Sequence, residues 1–336
     1  MLVSGLESDA PTYTVSIVDL QGRVLTSATA TNPNHVPVPW QPLPIVSTSN
    51  TGVYYLDGAS TVKSLKPDGT SGVVVDLPNQ VGERVVFAVS SDDSRIAASV
   101  FNLTSGMRLY TADIGQNQGW HQIFATTAFS EWPVGWRGAE LVLGLGYVKG
   151  GQQRCVECSW VPVGLHVANP DTGARIASVC DSPTKNEIPA SAPVAAGVLC
   201  TTTTEVHQSA NGLWTSTATA IAHWDGSKGS IIPTAPELTR CPLNGPLSPD
   251  GTLIATTRDI NDCPTGTTIN VFDTSGHGQA TVATGGYYQM LWIDTGDLCF
   301  STGDDKSSIL NVAANRVTPI NAHGLCRAVL PGGLSS

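Results

Sequence analysis

The segment of residues 241–286 constrains the fold more than any other part of the sequence. It contains four short apolar runs separated by turn-forming residues. The tetrapeptide Ser-Pro-Asp-Gly at 248–251 separates the first two runs, where Pro fixes φ and Gly accepts a positive φ. The tetrapeptide Asp-Thr-Ser-Gly at 273–276 separates the last two in a similar way. The segment therefore predicts a meander of four antiparallel strands.

Similar units fill most of the remaining chain. We predict complete copies at about 43–78, 82–127, 130–181, 187–235 and 287–322, beside the one at 241–286. The end of the third strand recurs as an Asp or Asn followed within a few residues by Gly, as in IVDLQG, YTADIG, VANPDTG, HWDG and VFDTSG. A repeat of about 45 residues with four strands is typical of a β-propeller blade. A β-sandwich, the alternative, predicts no such repeat.

The two ends of the chain together supply one more unit. Residues 1–30 have room for three strands, and residues 324–331 supply one more. We expect a composite blade in which the C-terminal strand is the innermost strand, because this closure removes exposed strand edges. The prediction is an all-β fold: a single seven-bladed β-propeller domain over residues 1–336, with four-stranded antiparallel blades and a ring closed by the C-terminal strand joining the N-terminal blade.

Composition and charge restrict the partners. The chain has 17 Lys and Arg against 27 Asp and Glu, a net charge of −10, and only 13% charged residues. Nucleic acid is disfavoured because binding it requires clustered Lys and Arg. No apolar run is long enough for a transmembrane segment, and no signal peptide is visible at residues 1–4. The polar, Lys-poor surface nevertheless favours a secreted or extracytoplasmic protein whose signal or anchor is not present in this chain.

Eight cysteines fall into sequential pairs, which are Cys155/Cys158, Cys180/Cys200, Cys241/Cys263 and Cys299/Cys326. In an oxidising compartment these pairs indicate disulfide bonds, whereas in the cytosol they would be reduced thiols. The bond between Cys241 and Cys263 is the one we expect most firmly, because both lie at the same face of one predicted blade. A closed loop of that length stabilises the fold by about 3 kcal/mol.

Metal and cofactor motifs are weak in this sequence. The spacing Cys155-Val-Glu-Cys158 resembles half of a zinc site, but no second C-x-x-C or H-x₃₋₅-H follows it. Asp259 and Asp262 could contact calcium or a substrate, but a tight polar turn whose charge is partly offset by Arg258 is the preferred interpretation. The sequence predicts no cofactor and leaves a structural calcium or zinc ion open.

Two hairpins carry a resemblance to a known superfamily. The segments LSPDGTLIA at 247–255 and VSSDDSRIA at 89–97 resemble the S-P-D-G repeat of TolB-like and related WD40-type β-propellers. The likeness covers the chain as architecture, but as sequence it covers only these two hairpins. It implies a propeller and implies no particular ligand.

Ligands of propellers generally bind where the innermost strands begin, at the mouth of the central channel. Aligning the hairpins places ten polar and aromatic candidates for ligand binding near that mouth, which are Arg84, Glu131, Trp132, Trp160, Asn244, Tyr287, Tyr288, Gln289, His323 and Arg327. The alternative is that these residues only fill the channel. Trp136 and Trp292 lie in mid-strand and are expected to pack between blades.

Three functions fit this sequence. The first is a binding module that recognises a small polar molecule, a glycan or a peptide at the mouth. The second is an enzyme, such as a hydrolase, lactonase or lyase, which requires titratable groups that converge in the channel. The third is a protein–protein interaction platform, which requires an exposed apolar patch. The mouth candidates are richer in aromatic and amide groups than in titratable ones, which favours the binding module; the catalytic residues and the oligomeric state stay open.

Overall fold

The protein is described from a computed structural model that covers residues 2–4, 10–33, 44–102, 106–115, 119–147, 162–181, 187–209, 212–233, 247–257, 268–284, 289–302, 305–332 and 334. In these residues the chain forms 27 β-strands and no helix. Numbered in chain order, the strands are β1 (Leu2–Ser4), β2 (Thr12–Val18), β3 (Val24–Thr31), β4 (Val46–Thr48), β5 (Val53–Asp57), β6 (Thr61–Leu65), β7 (Ser71–Asp76), β8 (Arg84–Val89), β9 (Arg95–Asn102), β10 (Gly106–Asp113), β11 (His121–Thr126), β12 (Phe129–Arg137), β13 (Glu140–Tyr147), β14 (Gly164–Ala168), β15 (Arg175–Val179), β16 (Glu187–Pro189), β17 (Val198–Ser209), β18 (Gly212–Ala222), β19 (Lys228–Ile231), β20 (Leu253–Thr257), β21 (Thr268–Asp273), β22 (Gly278–Ala283), β23 (Gln289–Trp292), β24 (Asp297–Thr302), β25 (Lys306–Asn311), β26 (Arg316–His323) and β27 (Leu325–Cys326).

The strands form antiparallel sheets of consecutive strands. The first sheet has the order β27-β1-β2-β3, and the second to seventh sheets contain β4–β7, β8–β11, β12–β15, β16–β19, β20–β22 and β23–β26. Six of these sheets have four strands, and the fold is of the β-propeller type. The sixth sheet has three strands among the described residues; its predicted first strand appears only as a bridge between Leu247 and Ile254, and residues 241–246 lie outside the described part.

The two ends of the chain meet in the first sheet. Leu2 pairs with Cys326 and Val3 with Leu325, both antiparallel. The first sheet therefore consists of three N-terminal strands with the C-terminal strand at its edge. This is the pairing predicted for the composite blade.

Turn chemistry explains why the strands begin and end where they do. In the hairpin between β8 and β9, the Ser90 hydroxyl donates to Asp92 Oδ1 at 2.7 Å and accepts from the Arg95 backbone N–H at 2.9 Å. The hairpin at 248–253 makes the same two bonds with the same lengths. The two segments that resemble S-P-D-G propellers thus share one hydrogen-bond network, which fixes the turn without help from the rest of the fold.

The turns between third and fourth strands follow the predicted Asp-to-Gly pattern. The carboxylate of Asp19 accepts the backbone N–H groups of Gln21 and Arg23 at 3.0 and 2.9 Å. Gly22 then takes a φ of 75°, which an L-residue with a side chain adopts only at a cost. The Asp273 turn is built in the same way, so the recurring motif has a physical cause in the backbone.

The chain divides into two compact units. One comprises Met1–Pro162, His166–Ile176 and Ile320–Ser335, and the other comprises Val163–Leu165 and Ala177–Pro319. The first unit has a continuous apolar core that includes Trp132, Trp136 and Tyr13. The second unit has smaller apolar clusters, one around Trp292 and one around Leu199. The single domain predicted for the whole chain stays a prediction.

Candidate functional site

Every complete sheet has two ends with different connections. We call the end with the turns between first and second strands and between third and fourth strands the turn end. The opposite end, with the connections between second and third strands and between sheets, is the loop end. The predicted mouth belongs to the loop end, because the first strands begin there.

A polar cluster lies at the loop end of the third sheet and consists of Glu83, Asn102 and Arg108. Glu83 precedes β8, Asn102 ends β9, and Arg108 lies near the start of β10. The Glu83 carboxylate accepts hydrogen bonds from the Arg108 guanidinium, from Asn102 Nδ2 at 3.4 Å and from the Gln80 backbone N–H at 2.9 Å. Gln80 lies in the connection before β8, and Asn102 and Arg108 flank the connection between β9 and β10, so the cluster fixes the relative positions of these two connections.

The electrostatics of this cluster keep its carboxylate ionised. The Glu83 side chain is only 6% exposed, and this burial alone would raise its pKa. The hydrogen bonds from Gln80 and Asn102 and the charge of Arg108 outweigh burial, so the pKa of Glu83 is lowered. Arg108 also lies over the Tyr110 ring, with its guanidinium carbon 5.9 Å from the ring centroid. The arrangement suits holding a polar group and does not suit donating a proton at neutral pH.

A second polar cluster, the Glu131 cluster, consists of Glu131, His166 and Arg175. Glu131 is fully buried on β12, and its carboxylate accepts from Arg175 Nε at 3.1 Å and from Arg175 Nη2. His166 Nδ1 lies 2.5 Å from the same carboxylate. The Arg175 guanidinium carbon stands 4.7 Å from the centroid of the Phe124 ring on β11. All three members of the cluster belong to the fourth sheet, and the Arg175–Phe124 contact links them to the third sheet.

Backbone contacts place Glu131 firmly between these two sheets. The Ser99 hydroxyl donates to the Glu131 carbonyl at 2.7 Å, and the Glu131 N–H lies 3.2 Å from Met107 Sδ. We expected Glu131 to line an open mouth, but the residue is buried between the third and fourth sheets. Side chains of a strand stand perpendicular to the sheet, so on a first strand they point at the neighbouring sheets, and only the backbone edge faces the centre.

Trp132 is buried by the same geometry. Its side chain is 2% exposed, and its indole lies against Gly144 and Gly146 of β13, where any Cβ would come within 3.2 Å of the ring. Gly at these two positions is what lets the ring lie flat on its own sheet. A ligand contact through Trp132 or Glu131 has no exposed surface to use in this structure, and their predicted binding role stays untested.

The other mouth candidates are distributed as follows. Arg84 and Gln289 are the first residues of β8 and β23, His323 is the last residue of β26, and Arg327 follows β27. Arg84, Gln289 and Arg327 are half-buried and His323 is exposed. The remaining candidates lie outside the described residues, namely Trp160, Asn244, Tyr287 and Tyr288.

The two mid-strand tryptophans are buried, as expected. Trp136 on β12 donates its indole N–H to the Ala88 carbonyl on β8 at 3.0 Å, so it packs between two sheets. Trp292 is 2% exposed within an apolar cluster.

Disulfide bonds are present in the described part of the chain. Cys180 and Cys200 form one bond with a Cα–Cα distance of 5.5 Å, an ordinary separation for a disulfide. Cys299 and Cys326 are also disulfide-bonded cysteines. The predicted pairs Cys155/Cys158 and Cys241/Cys263 lie outside the described residues, as do Asp259 and Asp262.

No group of three or more potential metal ligands occurs among the residues that the structure describes. Within the same residues, no helix is long and apolar enough to cross a membrane.

Sequence reasoning missed Glu83, Arg108, His166 and Arg175. Glu83 had a usable signal, because it directly precedes Arg84 at the start of a predicted first strand. The other three had none, since their role depends on which side chains of separate strands share one sheet face.

Comparison with known proteins shows the fold. Oligogalacturonate lyase in complex with manganese is similar, with a TM-score of 0.51 and 9% identity over 79% of this chain and 75% of that chain. YCF48 bound to D1 peptide has a TM-score of 0.49 and 9% identity over 92% and 85%. The C-terminal WD40 domain of Sif2 has a TM-score of 0.43 and 11% identity over 81% and 71%.

No known protein family matches the sequence, and no curated protein matches it either. At these identities the likeness to solved structures concerns the fold alone. The chain has a β-propeller fold.

Proposed function

We propose that this protein is an extracytoplasmic, seven-bladed β-propeller that binds a small polar ligand, a sugar or a peptide at its loop end. The observation that carries the proposal is the difference between the two ends of the sheets. At the turn end of the third sheet the polar side chains are paired with one another: Ser90 and Asp92 satisfy their own turn, and Arg95 pairs with Asp113 and Asp171. The loop end of the third sheet instead concentrates Glu83, Arg84 and Arg108 around half-buried positions.

The C-terminal segment supports the same choice of end. After β27 the chain passes the turn ends of two first strands: the Gly332 N–H donates to the Ser49 carbonyl at 2.7 Å, and the Leu334 N–H to the Trp136 carbonyl at 3.0 Å. Leu334 is 8% exposed and packs on Gly135. Because this segment lies against strand ends at the turn end, it favours the loop end as the side for a ligand.

A closed ring of seven blades is part of this proposal. The pairing of β27 with β1 and the six four-stranded sheets support it. The bridge between Leu247 and Ile254 supports a fourth strand in the sixth sheet. Disulfide bonds at Cys180–Cys200 and at Cys299 and Cys326 support export, because such bonds persist in oxidising compartments.

Binding without catalysis is the function that the described titratable groups support best. A carboxyl group acts as a general acid at neutral pH only if its pKa is raised. Where the pKa of a described carboxyl group departs from its ordinary value, as in Glu83, Asp57 and Asp250, it is lowered because hydrogen bonds outweigh the burial, with a nearby cation adding to them at Glu83 and Asp57. These groups are acceptors of hydrogen bonds and not proton donors.

The test is a binding screen by thermal shift and calorimetry with acidic and neutral oligosaccharides and short peptides as the probes. We expect one class to bind the wild type, and Arg84→Met to weaken that binding about tenfold or more, as loss of a charge-assisted hydrogen bond implies. Arg137→Met is the matched control, because Arg137 lies at the turn end of the fourth sheet and pairs with Glu140. Equal loss in both variants, or a ligand that protects only the turn end from hydrogen exchange, would contradict the proposal.

A further inference from the structure

The chain continues after β27 as a segment that lies against two other sheets of the first unit. The Gly332 N–H donates to the Ser49 carbonyl at 2.7 Å, and the Leu334 N–H donates to the Trp136 carbonyl at 3.0 Å. Ser49 directly follows β4 of the second sheet, and Trp136 lies near the end of β12 in the fourth sheet. Successive N–H groups of an extended chain point to opposite sides, so donors two residues apart share one side. Gly332 and Leu334 therefore have the donor spacing of an extended peptide.

The side chains of this segment fit their surroundings closely. Leu334 is 8% exposed, and a Cβ on Gly135 of β12 would come 3.2 Å from Leu334 Cγ, so the leucine lies directly on this glycine. A Cβ on Gly332 would lie 2.2 Å from Thr48 Oγ1. The position of Gly332 therefore leaves no room for a side chain, whereas the position of Leu334 accommodates a large apolar one.

The four residues that receive this segment form what we call the tail site, namely Thr48, Ser49, Gly135 and Trp136. Contacts that do not involve the segment hold the tail site in place. Ser49 is fully buried, and its hydroxyl accepts the backbone N–H groups of Thr51 and Gly52 at 3.1 Å. Trp136 is fully buried and donates its indole N–H to the Ala88 carbonyl at 3.0 Å. A site that is held in shape in this way pays little for ordering when a peptide docks.

The fit defines the peptide that the tail site can take. Its first position must be Gly, because Thr48 excludes a Cβ, and its third position suits Leu, which covers the bare backbone of Gly135. Both positions must supply a backbone N–H, which excludes Pro. Residues 328–336 have the sequence AVLPGGLSS, and neither they nor the four residues of the site carry a charge. The ligand chemistry is therefore that of an uncharged, extended Gly-x-Leu segment that is recognised mainly through its backbone.

The attachment at the tail site can be displaced by a competitor. Two backbone hydrogen bonds and one buried leucine favour docking, whereas the loss of backbone freedom over several residues opposes it with a free energy of similar size. A segment that is tied to its own site competes there at an effective concentration of millimolar order. A second peptide of the same chemistry can therefore take its place at a comparable concentration.

We propose that the tail site is a peptide-binding site that Gly332 and Leu334 occupy in cis. Its ligand is a Gly-x-Leu segment of a partner protein, bound in extended form through the carbonyl groups of Ser49 and Trp136, with its leucine on Gly135. The chain's own C-terminal segment keeps the site closed until such a partner displaces it. This site lies at the turn end and is separate from the loop end, where we place the small polar ligand.

Isothermal titration calorimetry of the full chain with the peptide AVLPGGLSS, residues 328–336, tests the proposal. Leu334→Asp in the chain should release the segment and leave the tail site intact. We expect the peptide to bind this variant with a Kd of about 0.1–1 mM. The wild type should bind it about tenfold more weakly, because a docked fraction of about 90% leaves only a tenth of the sites open. A peptide that carries the Leu334→Asp change should not bind.

Two further measurements locate the binding and test the competition. Gly135→Ala in the Leu334→Asp background should weaken binding about fivefold or more, because its Cβ takes the place of the peptide leucine. Gly72→Ala is the matched control, since its Cβ meets no atom within 4 Å, and it should leave binding unchanged. In the wild type, an excess of biotin-labelled peptide should speed hydrogen exchange in residues 328–336 of the chain. Circular dichroism and melting temperature establish that each variant is folded.

Several results would overturn the proposal. A folded Leu334→Asp chain that does not bind the peptide is one, and a wild type that binds it equally well is another. Binding that survives Gly135→Ala places the peptide elsewhere. If Leu334→Asp does not fold, unchanged hydrogen exchange in the wild type with excess peptide decides against displacement. Wild-type dimers that the peptide dissociates in sedimentation velocity would exclude occupation in cis, because the segment would then belong to a second copy.

Discussion

Replacing Arg175 by Met tests how much a buried ion pair within the fourth sheet stabilises the protein. Arg175 donates two hydrogen bonds to the carboxylate of Glu131, which has no exposed surface, and a third to the Gly173 carbonyl. Removing the guanidinium leaves a buried charge with His166 beside it. Breaking one side of a buried ion pair costs about 3–5 kcal/mol. The lost stacking on Phe124 adds about 0.5–1 kcal/mol at most, because Arg175 is partly exposed.

The double variant separates the ion pair from simple loss of packing. Glu131→Gln removes the charge, so in that background Arg175→Met no longer strands an anion. We expect the pair of substitutions to cost less than the sum of the single ones by about 1.5 kcal/mol or more. The assay is equilibrium urea unfolding of the four proteins, followed by tryptophan fluorescence, since Trp132 and Trp136 lie in the same core.

Arg137→Met serves as the control for a generic loss of charge. Arg137 pairs with Glu140 at 2.9 Å, but both side chains are substantially exposed. Such a pair contributes about 0–1 kcal/mol. If Arg175→Met destabilises the protein no more than Arg137→Met, or if the double-variant cycle is additive, the Glu131–Arg175 ion pair does not stabilise the fold as argued.

Three further predictions concern stability. Gly332→Ala should lower the unfolding free energy by about 1–3 kcal/mol, because a Cβ there would lie 2.2 Å from Thr48 Oγ1; thermal unfolding measures this. Removing the Cys180–Cys200 bond by substituting both residues with Ala should cost about 3 kcal/mol, as measured by urea unfolding without reductant. Hydrogen bonds from two flanking serines lower the pKa of Asp92. The ionised Asp92 carboxylate therefore stabilises the folded state fully above the unfolded pKa of about 3.9, and this stabilisation is lost as pH falls through the lower pKa of the folded state. Asp92→Asn should make the unfolding free energy depend less on pH in that range.

Each of these has an internal control. Gly72→Ala places a Cβ where no atom lies within 4 Å, so it should leave stability nearly unchanged. Full reduction of the wild type should reproduce the loss seen on removing Cys180 and Cys200, or exceed it. Asp171→Asn changes a carboxylate in another exposed turn; an equal effect there would show that the acid sensitivity is not specific to Asp92.

The strands were predictable because their signals are local. Ser248 and Asp250 form the hydrogen bonds of a turn that spans only six residues, so the sequence motif by itself is enough to predict the turn. The same holds for the turn at Asp19, whose Gly22 has a positive φ. Pairing of the two chain ends was predictable for a different reason: an incomplete unit at one end and a spare strand at the other fit each other.

The polar clusters were not predictable, because they depend on contacts between strands that are distant in sequence. Glu131 meets Arg175 across 44 positions, and Glu83 meets Arg108 across 25. The repeat shows which strands correspond to one another. Successive side chains of a strand point to opposite faces of the sheet, so one extra residue in a bulge moves the following side chains to the other face. One such shift lies within β12 itself, between Pro133 and Gly135.

The alternation of side chains between the two faces of a strand limits where ligand-binding residues can lie in such a fold. On a first strand, alternate side chains go to the two neighbouring sheets, which accounts for buried Glu131 and Trp132. Only residues at the very start of a first strand, or in the connection before it, can reach past the sheet faces. Arg84 and Glu83 satisfy this condition in the third sheet. A long side chain at the first position of a first strand is therefore a better criterion for a binding residue than an aromatic one further in.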